Sequence, residues 1–125
     1  MKALLVEDNA LDATRCVRLL KTLGANEVQA FNSVAAALRC LDEVLEKKRP
    51  APDLLVLDLA FPMESGFEIL RRWKAHAGLK AIPIIVWTEM GDTEERLCQY
   101  FGVECVVRKE AGIKELELAV KRITQ

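Results

Sequence analysis

The 125-residue sequence predicts one α/β domain, an open sheet of parallel strands with helices on both faces, and three observations carry that reading. Short, continuous, partly β-branched apolar runs alternate with longer segments whose apolar residues recur at helical spacing. The runs lack polar alternation, as strands covered on both faces do. The 51% hydrophobic content can bury one full core, while the length is too short for two ordinary domains, so residues 1–125 are read as a single domain.

The first run, Ala3 to Val6, stops at Glu7, Asp8 and Asn9. A helical segment with Cys16, Val17, Leu20 and Leu23 follows and ends before Gly24. Val28 to Phe31 is a weaker run and reads as an edge strand; Ala37, Leu38, Leu41, Val44 and Leu45 then form the stripe of a second helix. Lys47, Lys48, Arg49, Pro50, Ala51 and Pro52 make a solvated connection into the third run, Leu54 to Leu57, which Asp58 directly abuts. The third helix puts Phe67, Leu70 and Trp73 on one side and Arg71, Arg72 and Lys74 on the other, with Gly78 as its terminator. The fourth run, Ile84 to Trp87, leads to Thr88. A short fourth helix over about Thr93 to Phe101 turns Leu97 and Phe101 inward ahead of Gly102. The last run, Cys105 to Val107, precedes Lys109, and a fifth helix from about Ile113 to the end carries Leu116, Val120 and Ile123. Strand–helix alternation of this kind joins parallel strands by right-handed crossovers.

Composition narrows the function classes. The 18 Lys and Arg nearly balance the 19 Asp and Glu, neither sign gathers in a tail, and no direct nucleic-acid partner is expected. Cys16, Cys40, Cys98 and Cys105 form no close C-x-x-C pair and sit among apolar neighbours, so reduced core or half-buried thiols are expected. No run is long enough to span a bilayer or resembles a signal peptide, which makes the cytoplasm the expected location, away from membranes.

Ligands of such sheets sit at the carboxyl ends of the strands. Glu7, Asp8 and Asp58 fall there, and three carboxylates at two strand ends repel one another and resist desolvation. A hard divalent cation such as Mg²⁺ resolves that conflict if the first and third strands are neighbours. Taken singly, each acidic loop reads equally as a helix cap or a turn cap. Thr88 and Lys109, after the fourth and fifth strands, add a hydroxyl and an ammonium, which are the groups a phosphorylated carboxylate would need.

With these residues placed, the chain resembles the response-regulator receiver domains of two-component signalling over essentially its whole length. Glu7-Asp8 resembles the family's acidic pair, and Asp58 stands at the phosphoacceptor place after Leu54-Leu55-Val56-Leu57. Pro62 and Gly66 keep the family's proline and glycine four and eight residues beyond, and Thr88 and Lys109 resemble its hydroxyl residue and lysine. The resemblance implies a flavodoxin-like sheet of order 2-1-3-4-5. It implies phosphoryl transfer to Asp58 from a histidine kinase or histidine phosphotransfer protein. Mg²⁺ would be held by Glu7, Asp8, Asp58 and the backbone carbonyl of Ala60, with Thr88 and Lys109 serving the phosphoryl group. Such a domain catalyses its own phosphorylation and dephosphorylation without being a conventional turnover enzyme. Downstream proteins would dock on the fourth helix, fifth strand and fifth helix, and the Thr88 to Gly91 loop would move on phosphorylation; a homodimer is a further expected partner state, with no face assigned to it.

Three positions depart from the family's pattern: Val106 stands where an aromatic switch residue is common, Glu110 follows Lys109 in place of proline, and Glu89 replaces a small residue. They keep open a second reading, a receiver-like interaction module that acts without phosphorylation. On the output face, Cys98, Tyr100, Cys105 and Val106 read equally as core or contact residues, with Glu94, Glu95, Arg96 and Lys121 as the rim. Trp73 and Trp87 read as core, and His76 as neither ligand nor phosphodonor. A flavin-binding protein would need a Gly, Ser or Thr phosphate cradle where Glu7-Asp8-Asn9-Ala10 stands. A haloacid-type phosphatase would place a second aspartate where Ala60 is.

Overall fold

The structure, a computed structural model, describes residues 1–89 and 91–125. Its apolar runs form a five-stranded, all-parallel sheet in the order β2-β1-β3-β4-β5. The strands are β1 (Lys2–Val6), β2 (Glu27–Phe31), β3 (Leu54–Leu57), β4 (Ile84–Thr88) and β5 (Cys105–Arg108). The helices are α1 (Ala10–Thr22), α2 (Val34–Leu45), α3 (Phe67–Ala75), a single turn α4 (Ala77–Lys80), α5 (Asp92–Tyr100) and α6 (Ile113–Thr124), with a 3₁₀ turn at Lys109–Ala111. The fourth and fifth helices expected from the sequence are therefore α5 and α6.

Successive side chains of a strand point to opposite faces, and each run divides its apolar residues accordingly. Leu4, Val6, Leu55, Leu57, Ile84 and Val86 pack on one face with α2, α3 and Cys98 of α5. Ala3, Leu5, Leu54, Val56, Ile85 and Trp87 pack on the other with Cys16 and Leu20 of α1 and with Leu116, Ala119 and Val120 of α6. Two cores sandwich the sheet, so its central strands carry no polar face. At the edge, β2 stays only half buried.

Local chemistry starts and stops the helices. Asn9 Oδ1 accepts from Asp12 N at 2.9 Å and Ser33 Oγ accepts from Ala36 N at 3.1 Å, both N-caps. The Glu64 carboxylate, from the loop after β3, accepts from Val34 N at 3.1 Å and from Ala35 N at 2.9 Å, closing the first turn of α2 from a distance. Gly102 follows α5 at φ 86, a left-handed conformation that a side chain would strain.

Three expectations change. Gly78 does not terminate α3; the chain breaks at His76, which is extended, and takes the extra turn α4 through Gly78 so that Leu79 reaches the core. Leu97 does not face inward: it is 43% exposed while Cys98 is fully buried, because one residue rotates a helix by ~100°. The connection after α2 is not wholly solvated, since half-buried Arg49 bonds Gln29 Oε1 at 2.9 Å and Pro52 is buried. Cys98 belongs to the core, Cys105 and Val106 are half buried and Tyr100 is exposed. All four cysteines are free, and burial pushes the Cys16 thiol up to about 12 and Cys98 up to about 11. Both stay protonated and inert near neutrality. No helix among the described residues is long and apolar enough to cross a membrane. The Thr88 to Gly91 segment includes Met90, which lies outside the described residues.

Candidate functional site

The β1–β3 register sets Val6 against Leu57, so Glu7 and Asp58 leave the sheet side by side. The backbone ladder runs one residue past each strand: Glu7 N donates to Phe31 O and Asp58 N to Val6 O, both at 2.9 Å. Neither residue can swing away without breaking a sheet hydrogen bond. Glu7, Asp58 and Thr88 are the buried polar residues of the described chain, at 3%, 4% and 0% exposure. Asp8, by contrast, faces solvent, and oxygens of Glu7, Asp8 and Asp58 all lie within 4.8 Å of one another.

Lys109, first residue of the 3₁₀ turn after β5, reaches over this trio. Its Nζ donates to Asp12 Oδ2 at 2.8 Å and to Asp58 Oδ2 at 3.1 Å. It also lies 2.8 Å from Glu7 Oε1, yet that buried oxygen accepts no hydrogen bond. Asp58 Oδ1 takes the Thr88 hydroxyl and the Ala60 N–H, the latter at 3.0 Å. The loop beyond Asp58 folds back through an Ala60–Ser65 bridge, which brings Gly66 against the strand end.

Charge is distributed unevenly. Burial, with the neighbouring Asp58 carboxylate, pushes Glu7 up to about 8, against the pull of Lys109. For Asp58, burial acts upward but is outweighed by hydrogen bonds from Glu7, Thr88 and the Ala60 N–H and by Lys109, so its pKa falls below the ordinary value. Burial also acts against the Lys109 ammonium, and Asp12, Glu7 and Asp58 together more than offset it, holding Lys109 charged. Near neutrality Glu7 keeps a proton and Asp58 its negative charge. An acidic oxygen set with one buried oxygen lacking a hydrogen bond fits a hard divalent cation, which would displace the Glu7 proton.

That exchange fixes a pH dependence. A carboxyl raised from 4.5 in the unfolded chain to about 8 in the fold stabilises fully below 4.5, and the contribution disappears as pH rises through about 8. The lowered Asp58 acts only under its ordinary 3.8, outside that window. The metal-free protein is expected to lose stability across the Glu7 window, and a divalent cation to restore it at the alkaline side. Denaturant titrations across the window, with chelator or with cation, check this; a flat midpoint in chelator would remove Glu7 from the account.

The fold brings together Glu7, Asp8, Asp58, Thr88 and Lys109 from four strand ends, and the Ala60 N–H bonds Asp58. Val106 is half buried, while Glu89 and Glu110 are exposed, the latter within the 3₁₀ turn. Sequence reasoning missed Asp12, which binds Lys109 across 97 positions of chain. A signal existed: a carboxylate one helical turn after Asp8, in the first turn of a capped helix, stands over the same rim. Arg108 was missed too; it bridges Asp92 at 2.8 Å and Glu95 at 2.6 Å, tying the start of α5 to the end of β5.

A doubly wound sheet with a cluster of carboxylates at metal-ligand spacing, centred on an aspartate at the β1–β3 switch point, defines the class of phosphoacceptor receiver domains. Residues 3–121 match the response regulator receiver domain, and the chain belongs to that family. It is 32% identical over 123 residues to response regulator Rcp1 of Synechocystis sp., covering 96% of this chain and 84% of that protein. With two-component response regulator ORR1 of Oryza sativa the identity is 31%, over 93% of this chain and 52% of that one. The chain thus spans about half the length of ORR1. Among solved structures, the Mn²⁺-bound form of Rcp1 superposes with a TM-score of 0.79 at 30% identity, covering 98% of this chain and 90% of that one. Bacteriophytochrome response regulator RtBRR gives 0.82 at 26% identity, over 98% and 76%.

Proposed function

We propose that Asp58 accepts a phosphoryl group from a phosphohistidine on a histidine kinase or histidine phosphotransfer protein, and that residues 1–125 act as one cytoplasmic domain that passes this state on by protein contacts. The observation carrying the reading is a buried, charged Asp58 whose two oxygens are met separately, one by Thr88 and Ala60 N–H, the other by Lys109. An Asp58 oxygen attacks phosphorus; the P–N bond breaks, its electron pair stays on the imidazole, and an acyl phosphate forms. Lys109 already carries the positive charge that a phosphoryl oxygen needs, and the Thr88 hydroxyl turns from Asp58 Oδ1 to another phosphoryl oxygen. In the hydrolytic branch water attacks phosphorus, the P–O bond to the acyl oxygen breaks, the Asp58 carboxylate is regenerated and inorganic phosphate is released. The domain thereby promotes its own phosphorylation and dephosphorylation.

Glu7, Asp8, Asp58 and the Ala60 backbone carbonyl would hold Mg²⁺, which when bound neutralises charge on the transferred group. Response regulator Rcp1 is solved in a Mn²⁺-bound form, which supports a divalent ion as the ligand of this chain's acidic group. Output is assigned to α5, β5 and α6, where Tyr100 is exposed and Arg108 holds Asp92 and Glu95. Val106 offers no large ring to swing inward, so the relay rests on the segment after Thr88 and on α5.

The test is phosphopeptide mapping after incubation with a small acyl-phosphate donor and Mg²⁺. Label is expected on Asp58 alone and is lost when Mg²⁺ is chelated. Stable label elsewhere with Asp58 unmodified would leave the unphosphorylated interaction module as the better account.

A further inference from the structure

We infer that Asp12 is a positioning residue that holds the Lys109 ammonium over Asp58 from the far side, an inference that rests on the phosphoacceptor reading of that site. A lysine ammonium has three donors on a flexible stem, and nothing in its own chemistry selects where it stops. Here two donors are committed: one to Asp58 Oδ2 at 3.1 Å, the other to Asp12 Oδ2 at 2.8 Å. Glu7 Oε1 is equally near at 2.8 Å but takes no hydrogen bond, so Glu7 gives the ammonium no direction. Asp12 is thus the oriented contact that pulls Nζ away from Asp58 while keeping it within reach. The Trp87 ring, 5.0 Å from Nζ, closes another side.

Asp12 is itself anchored. Its backbone N–H donates to the Asn9 cap at 2.9 Å, which fixes its place in the first turn of α1, and its Oδ1 faces Arg15 Nη1 at 3.7 Å. Its carboxylate is therefore split between two cations, and the oxygen toward Lys109 stays in place. Because Asp12 belongs to α1 and Lys109 to the turn after β5, this contact joins two elements that the sheet hydrogen bonds do not connect. When Asp58 gains a phosphoryl group, Lys109 needs only to turn one donor to a phosphoryl oxygen while Asp12 retains the other. Without Asp12 the ammonium settles among Glu7, Asp58 and water, and must be recruited at each transfer.

The experiment has two readouts on the purified chain. In unphosphorylated protein, the Lys109 ammonium is observed by ¹⁵N–¹H correlation; Asp12→Ala is expected to shift it and speed its exchange with water. In the second, the initial rate of labelling by a small acyl-phosphate donor with Mg²⁺ is expected to fall about fivefold in Asp12→Ala, the scale of a partly exposed ion pair. Asp12→Asn keeps an acceptor oxygen and should recover most of that rate. In a Lys109→Ala background Asp12→Ala should cost nothing further, since its role runs through the lysine. An unchanged ammonium signal overturns the inference even if Asp58 is labelled normally. So does an equal loss in the Lys109→Ala background. Failure of wild-type protein to label at Asp58 overturns the phosphoacceptor reading instead, and the ammonium readout still judges Asp12.

Discussion

Lys109→Ala is expected to slow phosphoryl uptake at Asp58 by about 10²-fold, the usual scale for removing one oriented charge from a transition state. The same change should destabilise the metal-free fold by about 1.5–3 kcal/mol, the worth of hydrogen bonds to charged groups. The Lys109 side chain is 11% exposed, and the Glu7 and Asp58 side chains it faces are 0% and 4% exposed. Truncation leaves these carboxyls facing each other with no internal cation, a larger penalty than losing a surface pair. Proton retention by Glu7 limits it, because a neutral carboxyl can donate to Asp58. Two consequences separate this account from general damage to the fold. Saturating Mg²⁺ should restore most of the lost stability, since the ion supplies positive charge to the same oxygens, but it should not restore the rate. Chemical denaturation and donor-labelling kinetics, each with chelator and with Mg²⁺, measure both. A variant as stable as the parent in chelator would show that the Glu7–Asp58 pair does not depend on Lys109.

Gly66→Ala should cost about 1–3 kcal/mol, as forced overpacking commonly does, and impair Asp58 as acceptor at the same time. Gly66 has an ordinary helical φ of −62, so no left-handed strain is involved; the obstacle is space. A Cβ there would lie 2.7 Å from Leu59 Cα and 2.8 Å from the carbonyl oxygen of Asp58 itself. Both obstacles are backbone, which cannot rotate aside as a side chain would. Either α3 retreats or the strand end carrying Asp58 shifts, and a displacement of tenths of an ångström changes how its oxygens meet Thr88 and Lys109. Gly24→Ala is the control: at φ 105 with nothing within 4 Å it is strained but remote. It should lower the thermal midpoint without lowering the labelling rate. If Gly66→Ala lost stability yet labelled like the parent, the close approach would concern packing alone.

The alternation of covered strands with one-sided helices was readable because it depends on near neighbours in the chain. The rim holding Glu7, Asp8, Asp58, Thr88 and Lys109 was readable for a related reason: in a parallel sheet every strand end of one polarity lies on one edge, whatever the distance in sequence. Strand order came from the resemblance, since periodicity does not say which strands adjoin. Helix phase was less secure, and the inward residue of α5 proved to be Cys98 where spacing alone suggested Leu97. The Asp12–Lys109 contact, the Glu64 cap on α2 and the approach of Gly66 to Asp58 were set by packing, because each joins residues whose distance no local pattern constrains. The same holds for charge. Sequence named Glu7 and Asp58 as neighbouring carboxylates and the resemblance made Asp58 the acceptor, but only the fold, which buries Glu7 beside Asp58 and supplies Asp58 with hydrogen bonds and Lys109, decided that Glu7 keeps a proton while Asp58 gives its proton up.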